Sequence, residues 1–508
     1  MRKPHLLSPR LFLTLSVLIL SLMLSVAGVS SQDTPAHGAD FAGELRVAVW
    51  GQIDQAPDRP DVTVVHNLFQ QWQAMYPNVE LKYDYIGGTN VSERFTWINT
   101  NLLAGTLPDA VMIYFPGPDV YNAADLLYNF GDDLQQANPY SDNATWLEDF
   151  PLGGLVLNQT VSSDGGNRVI GFTLSGDSGV TTYAYNKTMF DEVGVEPPQT
   201  WGEFLEVQQK LKDAGYTPFL MPTAGPLGWV WNWSEWTIRE QLMADVIEQC
   251  DIEEPFDQLN DKEVVYCVAT GKLTLEDPRL VETWELMKEW SQYWQEDFLA
   301  PPPDVDLFAQ GEVGVINTMN LWLGQIARNP NITFEWGTFY QPPVTPADSE
   351  FGNDIAPRRV GNLGQAGSGS VYFFIPTTTV DRSPEKFAMA RDLIQYVTAP
   401  AQLDMWCSQQ PIPCYEPGTP IDQVYTDPAM VVRMRGFFEP GAFENGVASL
   451  NWATFDRAID AEWSRLFVEY MGGSMTIEEV FTEFQPLLDD AVERAIRAHP
   501  EWDADSWE

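Results

Sequence analysis

The residues of this chain best suited to chemistry are four tryptophans within eight positions, in the segment GPLGWVWNWSEW. They are Trp229, Trp231, Trp233 and Trp236. An indole ring offers a flat apolar surface and one N–H donor, so such rings stack on the apolar face of a ligand whose rim is hydrogen-bonded by polar neighbours. A strand would place Trp229, Trp231 and Trp233 on one face, whereas a helix would group Trp229, Trp233 and Trp236. Either stripe also suits a hydrophobic core.

The sequence offers few residue patterns suited to catalysis. The chain has four histidines far apart in sequence, which disfavours Ser-His-Asp triads, histidine metal sites and histidine general bases. No Walker loop, Rossmann glycine fingerprint or EF-hand loop occurs. A pair of glycosidase carboxylates stays open as an alternative, because 72 acidic residues offer many pairs. No catalytic residue, metal or cofactor is predicted from these residues, and binding chemistry is better supplied.

The charge of the chain limits its partners. The formal net charge is −44, and a field of this sign repels phosphate backbones and anionic lipid surfaces. Nucleic acid is therefore not an expected partner. The acidic residues are dispersed along the chain, which indicates a role in solubility in salty or acidic surroundings.

The N-terminus has the pattern of a secretory signal peptide. Three basic residues precede an apolar run over 11–29, and a suitable cleavage site stands before Gln32. An uncleaved membrane anchor is the alternative, because the run approaches spanning length. No cysteine lies near the cleavage site, so a lipid anchor is not expected. We expect a signal peptide over 1–31, a polar linker over 32–43 and secretion to the periplasm or the cell exterior.

The four cysteines are an even number in a chain expected to be exported, which predicts disulfides. Proximity in sequence pairs Cys250 with Cys267 and Cys407 with Cys414. A zinc site is the alternative, but the spacings lack a Cys-x-x-Cys pair and no histidine is near. The acidic stretch over 251–263 fits no defined calcium loop, so we expect a solvated loop closed by the first disulfide.

The first part of the chain alternates strands with helices. Strands are predicted over 44–50, 79–85 and 110–115, separated by amphipathic helices over 64–75 and around Ile98. This alternation favours an α/β fold with parallel sheets.

Farther on, a strand, a proline-bounded loop and a capped helix follow one another. The β-branched and aromatic residues over 180–185 favour a strand, and Asn186 ends it with turn chemistry. After two prolines, Thr200 is a good helix N-cap, and Glu203 completes a capping box. The apolar face of this helix consists of Phe204, Val207 and Leu211.

This run, together with six other segments in order, resembles the extracellular solute-binding proteins of ATP-driven importers, in the sugar-binding group. The six segments are GELRVAVWG, FQQWQAMYPNVELKYDYI, LLAGTLPDAVMIY, FAQGEVGVINTMNLW, GSGSVYFFIPTTTVDRSPEKFAMARDLIQYVTAPAQLDMW and QQPIP. They cover most of residues 44–415. The chain departs from the family at Val313-Gly314-Val315, where Ala-Ala-Met is usual, and in an expanded stretch over 227–263. Because both departures touch the ligand-facing part, the resemblance does not identify the ligand.

The resemblance implies an α/β protein of the two-lobed periplasmic-binding-protein type II fold, with a hinge and a ligand cleft between the lobes. Lobe I would comprise 44–180 plus 366–405, and lobe II 181–365 plus 406–508. The implied function is a monomeric receptor that captures a sugar or oligosaccharide by hinge closure and delivers it to an ABC transporter permease. The alternatives are a receptor for another organic solute, such as a polyol phosphate, and a secreted carbohydrate-active enzyme.

Ten residues are candidates for ligand contact. The resemblance brings Trp322 to the cleft. Trp50, Tyr114 and Phe115 end predicted strands, and the carboxyl ends of strands face the crevice in open α/β sheets. Asp109 either contacts the ligand or fixes the turn before its strand. The full set is Trp322, Trp229, Trp231, Trp50, Tyr114, Phe115, Asp109, Tyr183, Asn320 and Gln365.

Overall fold

Two β-sheets, each with its own hydrophobic core, organise the chain. The computed structural model describes residues 41–49, 60–87, 91–113, 126–150, 159–161, 167–173, 181–225, 228–252, 259–301, 306–355, 372–409, 420–438, 450, 452 and 456–507.

The strands form a five-stranded sheet of order β2-β1-β3-β11-β6, a four-stranded sheet of order β10-β7-β9-β8 and a separate pair β4-β5. We call the first two the lobe I sheet and the lobe II sheet. The strands are β1 (Gly43–Val49), β2 (Val79–Tyr85), β3 (Ala110–Ile113), β4 (Gln159–Val161), β5 (Asn167–Val169), β6 (Phe172–Thr173), β7 (Thr181–Asn186), β8 (Thr217–Leu220), β9 (Val313–Met319), β10 (Trp336–Phe339) and β11 (Tyr372–Phe374).

Helices pack around both sheets. They are α1 (Pro60–Met75), α2 (Val91–Leu103), α3 (Lys187–Val193), α4 (Trp201–Asp213), α5 (Trp231–Leu242), α6 (Ala244–Cys250), α7 (Asp261–Ala269), α8 (Pro278–Trp290), α9 (Asn320–Arg328), α10 (Thr377–Arg382), α11 (Pro384–Val397), α12 (Pro400–Gln409), α13 (Ile421–Val424), α14 (Pro428–Phe438), α15 (Arg457–Gly472) and α16 (Ile477–Ala498).

The chain passes between the two sheets more than once. It leaves the lobe I sheet after Thr173 and enters the lobe II sheet at Thr181, and it is back in the lobe I sheet at Tyr372. A third passage separates α12 from α14, because α12 packs on α1 of lobe I and α14 packs on β10 of lobe II. The residue bounds predicted near 180 and 366 stay predictions, since those passages lie outside the described residues.

Trp406, which we assigned from the sequence to lobe II, packs instead in the lobe I core with Leu403 and Val397. The physical reason is that α12 continues to Gln409 and carries Trp406 on its lobe I face. The third passage therefore begins later than the sequence predicted.

The expectation of parallel sheets is correct for part of the structure only. β1 pairs in parallel with β2 and β3, but β11 is antiparallel to β3 and β6, and β7 is antiparallel to β9 and β10. β7 and β11 each follow a passage from the other lobe. Such a strand starts at the edge of its sheet where its neighbours end, so it runs against them.

The segment around Asn186 also differs from its prediction. Asn186 accepts a hydrogen bond from the Met189 N–H at 3.1 Å and caps α3 directly, so no separate turn intervenes. Thr200 caps α4 as predicted, with its Oγ1 accepting from the Glu203 N–H at 3.2 Å. The Glu203 carboxylate, however, accepts from the Gln199 N–H at 2.8 Å. The capping box is therefore closed one residue earlier than a standard one.

Tryptophan supplies much of both cores. In lobe II, Trp290 is fully buried among Tyr183, Phe204 and Phe219, with ring centroids between 4.7 and 6.4 Å from its own. Each such ring removes about 150 to 250 Å² of surface from water. The high tryptophan content is thus largely structural. The fully buried tryptophans are Trp72, Trp146, Trp201, Trp231, Trp284, Trp290, Trp452 and Trp463.

The predicted disulfide between Cys250 and Cys267 is confirmed, and it joins α6 to α7. The Glu263 carboxylate also closes the intervening loop, by accepting from the Ile252 N–H at 2.7 Å and the Asn260 N–H at 2.9 Å. Within the described part of the chain no group of acidic, histidine or cysteine side chains has a metal-binding arrangement. The pair of Cys407 and Cys414 stays a prediction, because Cys414 lies outside the described residues.

Replacing Cys250 and Cys267 together by alanine should lower the free energy of unfolding by about 3 kcal/mol, because the disulfide closes a loop of 17 residues. Urea unfolding under oxidising conditions measures the change. The double variant Cys407→Ala and Cys414→Ala serves as the comparison, since it leaves the α6–α7 link intact. Equal free energies of unfolding for wild type and the first variant would contradict a stabilising role.

Candidate functional site

The site is built at one edge of the lobe II sheet, the edge at which the chain arrives from lobe I. β7 begins there at Thr181, which pairs with Met319 at the end of β9. β10 also ends at this edge, because Phe339 pairs with Tyr183. The carboxyl ends of strands are where ligands bind in open α/β sheets. The segments that follow these strands therefore supply the candidate residues.

Three tryptophans meet at this edge, and we call Trp229, Trp233 and Trp322 the tryptophan patch. The ring centroid of Trp233 lies 5.0 Å from that of Trp229 and 5.6 Å from that of Trp322, and the rings of Trp229 and Trp322 are 6.4 Å apart. Val230 and Met319 form the apolar base beneath them. The patch joins the segment after β8 to the segment after β9.

The three rings differ in exposure. Trp233 is buried, Trp322 is half-buried and Trp229 is 42% exposed. The interplanar angles of 85° between Trp229 and Trp233 and 42° between Trp233 and Trp322 leave the rings facing different directions. A ligand with an apolar face can thus contact Trp229 and Trp322 without displacing Trp233.

Helix geometry decides which tryptophans of the cluster join the patch. α5 begins at Trp231, and the turn before it is already helical, because the Asn232 N–H donates to the Trp229 carbonyl at 3.1 Å and the Trp233 N–H to the Val230 carbonyl at 3.2 Å. Trp229 and Trp233 therefore come together four residues apart, and Trp236 packs partly buried against the same base. Trp231 points away from the patch and is only 1% exposed. Its ring lies flat on that of Phe467, with centroids 3.6 Å apart and an interplanar angle of 4°.

A buried polar layer lies beneath the patch. The Tyr183 hydroxyl donates to Gln341 Oε1 at 2.6 Å and lies 2.9 Å from Ser234 Oγ. Gln341 Nε2 donates to the Ser234 carbonyl at 3.2 Å, and Asn317 Nδ2 donates weakly to the Val230 carbonyl at 3.4 Å. Burial raises the pKa of Tyr183, so the hydroxyl stays protonated and can donate. This layer holds α5 to the sheet.

The predicted residue Tyr183 therefore lies under the patch, with an exposure of 2%. Sequence reasoning did not single out Ser234, Asn317 or Gln341. Gln341 could have been found from the sequence, because it closely follows the end of a strand. No local pattern, however, marks a polar residue as the hydrogen-bond partner of a tyrosine distant in sequence.

Asp109 is occupied by contacts within lobe I. Its carboxylate accepts from the Arg46 N–H at 2.9 Å and from Lys386 Nζ at 2.9 Å, and its carbonyl accepts from Thr379 Oγ1 at 3.0 Å. It also precedes β3, at the opposite end from the one where β3 meets the start of β11. Of the two alternatives from the sequence, these contacts favour fixing the turn.

The remaining candidates lie at the limits of the described residues. Asn320 is the first residue of α9, directly after β9. Trp50 follows β1 in sequence, and Tyr114 and Phe115 follow β3. Both strands end at the lobe I edge where β6 ends and β11 begins. Trp50, Tyr114, Phe115 and Gln365 themselves lie outside the described residues.

Comparison with known proteins identifies the family. The model of a family described as bacterial extracellular solute-binding protein matches residues 67–430, well over half of the chain. The chain belongs to this family. Within the described segments of this solute-binding protein, no helix has both the length and the apolar character needed to cross a bilayer.

Three proteins illustrate what this solute-binding protein is similar to. A multiple sugar-binding protein of Streptococcus mutans is 28% identical over 167 residues, an alignment that covers 32% of this chain and only 34% of that protein. The cyclic alpha-maltosyl-1,6-maltose binding protein from Arthrobacter globiformis has a TM-score of 0.56 at 16% identity, over 90% of this chain and 98% of that one. UgpB from Mycobacterium tuberculosis, in complex with glycerophosphocholine, has a TM-score of 0.59 at 16% identity, over 89% of this chain and 100% of that one. At these identities the solved structures show a shared two-lobed fold.

A buried charged group stands on the face of α5 away from the patch. Arg239 and Glu235 are both fully buried, with Arg239 Nη2 and Glu235 Oε2 3.5 Å apart. Burial raises the pKa of Glu235 from 4.5 to about 7; Arg239 opposes this shift, and the charges of Glu240 and Asp460 add to it. The folded protein therefore favours the protonated carboxyl of Glu235.

Glu235→Gln should flatten the pH dependence of stability. Because the folded pKa is raised, the contribution of Glu235 is fully present below about pH 4.5 and is lost as the pH rises to about 7. Between these limits the free energy of unfolding of the wild type should fall by about 3 kcal/mol more than that of the variant. Urea unfolding at a series of pH values measures this, with Glu206→Gln on the exposed face of α4 as the control. Parallel profiles for wild type and Glu235→Gln would contradict the assignment.

Proposed function

We propose that this chain is an extracytoplasmic receptor that captures a sugar or oligosaccharide and delivers it to the permease of an ATP-driven importer. The tryptophan patch at the lobe I edge of the lobe II sheet is the observation that carries the proposal. Sugar rings have an apolar face of C–H groups, which stacks on indole, and a rim of hydroxyls, which needs polar partners in the ring plane. Trp229 and Trp322 offer such faces.

Hinge closure is the proposed means of capture. A ligand on the patch would gain further contacts when lobe I closes on it, with residues that follow β1 and β3 as the expected partners. Because those contacts exist only in the closed form, the ligand would shift the population toward closure. The permease would then recognise the closed receptor.

The relatives support a carbohydrate ligand. The curated relative is named for sugar binding, and the Arthrobacter globiformis structure is named for a cyclic maltosyl-maltose. Other similar structures include a chitin oligosaccharide binding protein. We extend this ligand class to the present chain because its patch is aromatic and its polar layer is uncharged.

A phosphate-bearing solute is the second candidate, since UgpB was solved with glycerophosphocholine. Such a ligand needs cations in the cleft. Arg239 is fully buried and donates to the Leu450 carbonyl at 2.9 Å, so it is unsuited to bind a ligand phosphate. Two further arginines, Arg358 and Arg359, lie outside the described residues. The neutral sugar is therefore the better-supported ligand.

The proposal also includes export by a cleaved signal peptide over 1–31, action as a monomer and the absence of catalysis. The family consists of binding proteins by description, which supports the last point. Incubation with oligosaccharides separates a receptor from a carbohydrate-active enzyme, because a receptor is stabilised by its ligand and leaves it intact.

Purified protein should release a bound carbohydrate on denaturation, detectable by mass spectrometry, and its melting temperature should rise with at least one oligosaccharide. At a ligand concentration of about 100 times Kd the expected stabilisation is about 2.7 kcal/mol. A panel of malto-, xylo- and chito-oligosaccharides, with glycerophosphocholine as the competing ligand, tests this. Stabilisation by glycerophosphocholine alone would favour the second candidate, and cleavage products would overturn the receptor.

Trp322→Ala and Trp229→Ala should each weaken binding of the stabilising ligand by about 1 to 3 kcal/mol, because each removes a stacking face. Titration calorimetry measures the affinities. Trp502→Ala is the matched control, since this half-buried ring stacks on His499 near the C-terminus. Unchanged affinity together with reduced stability would show that the altered tryptophan serves the core and not the ligand site.

A further inference from the structure

The helix that carries Trp233 of the patch, α5, also contacts the C-terminal part of the chain. Trp231, at the start of α5, lies flat on Phe467 of α15 at a centroid distance of 3.6 Å, and it is the closest ring pair in the described structure. Both rings are buried, with exposures of 1% and 0%. Trp233, two residues further along α5, belongs to the patch on the other side. The start of α5 therefore carries both a residue packed in the core, Trp231, and a residue of the tryptophan patch, Trp233.

Polar contacts add to this attachment at the other end of α5. Arg239 Nη2 donates to the Leu450 carbonyl at 2.9 Å, and the Leu450 N–H donates to Glu240 Oε1 at 3.0 Å. The Arg239 guanidinium also lies 5.7 Å from the ring centroid of Trp452. These groups are fully buried, so any shift of the helix would leave charged groups without their partners at a substantial cost.

Other contacts hold α5 as well, because α8 packs along it. Ser234 contacts Tyr183, Gln341 and Asn317 on the sheet side. Gln241, near the end of α5, donates to the Val344 carbonyl and accepts from the Val344 N–H. The stack of Trp231 on Phe467 ties the patch end of α5 to α15. The matched family region ends at residue 430, before any of these C-terminal residues.

We propose that α15, together with Leu450 and Trp452, positions α5 and thereby sets the ligand affinity of the tryptophan patch, with Trp231 and Phe467 as the positioning residues. This inference rests on the proposed function for its ligand. Stacking on a ligand requires the rings to be held within about 0.5 Å of their productive positions. The flat contact of Trp231 with Phe467 supplies that constraint, because loss of either ring opens a cavity into which α5 can relax.

Leucine variants test the proposal, because leucine keeps the position apolar and removes the flat ring. Phe467→Leu and Trp231→Leu should each weaken binding of the stabilising oligosaccharide by about tenfold. Phe190→Leu, in α3 of the same lobe, is the control. Its ring is buried and contacts Tyr185 and Phe339 rather than α5 or α15. It should lower the melting temperature comparably while changing affinity by less than about twofold.

Two further measurements separate positioning from general destabilisation. Phe467→Tyr retains the ring and should retain the affinity. Hydrogen exchange of the α5 amides, measured without ligand, should be faster in Phe467→Leu and Trp231→Leu and unchanged in Phe190→Leu. All affinities are measured by calorimetry at a temperature where every variant is fully folded.

Each outcome decides the matter. Equal affinities for Phe467→Leu and Phe190→Leu would overturn the positioning role whatever their stabilities. If wild type binds no member of the panel, the proposed function has failed, and the exchange experiment then decides alone. Unchanged protection of α5 in Phe467→Leu would overturn the inference in that case.

Discussion

The structure depends on one topological constraint, which is that the chain passes between two sheets. A strand that follows such a passage must start at the shared edge, and its neighbours in the sheet end there. β7 and β11 both obey this rule, which makes them antiparallel to β9 and β3. The same constraint gathers the segments after β8, β9 and β10 at the lobe II edge that receives the chain. The position of the candidate site therefore follows first from the connectivity of the chain and only then from its side chains.

Within that edge, α5 divides its aromatic residues between two environments. Trp231 enters the core against Phe467, and Trp233 joins Trp229 and Trp322. A helix turns about 100° per residue, so residues two apart point to different sides. The polar layer around Tyr183 holds this arrangement to the sheet, and the buried Arg239 holds it to the C-terminal part.

In this acidic chain, several of the arginines and lysines form ion pairs with carboxylates of the same chain. Arg46 pairs with Asp84 at 2.8 Å, and Lys386 pairs with Asp109 at 2.9 Å. Arg465 of α15 contacts three glutamates, Glu462, Glu469 and Glu483. Such contacts link elements within a lobe, and a cation engaged in this way is less available to an anionic ligand.

The sequence by itself determined the family, the Cys250–Cys267 pair and local elements such as β2 and the Thr200 cap, because these follow from short-range patterns of residue type and spacing. It also pointed to the tryptophans at and just before the start of α5. Only the tertiary structure decided that Trp231 is core while Trp229 reaches the surface, that Tyr183 lies beneath the patch and that Trp406 packs in lobe I. Those outcomes depend on partners far away in the chain, such as Phe467 for Trp231 and Gln341 for Tyr183. No local pattern encodes them, because burial is a property of the packed pair.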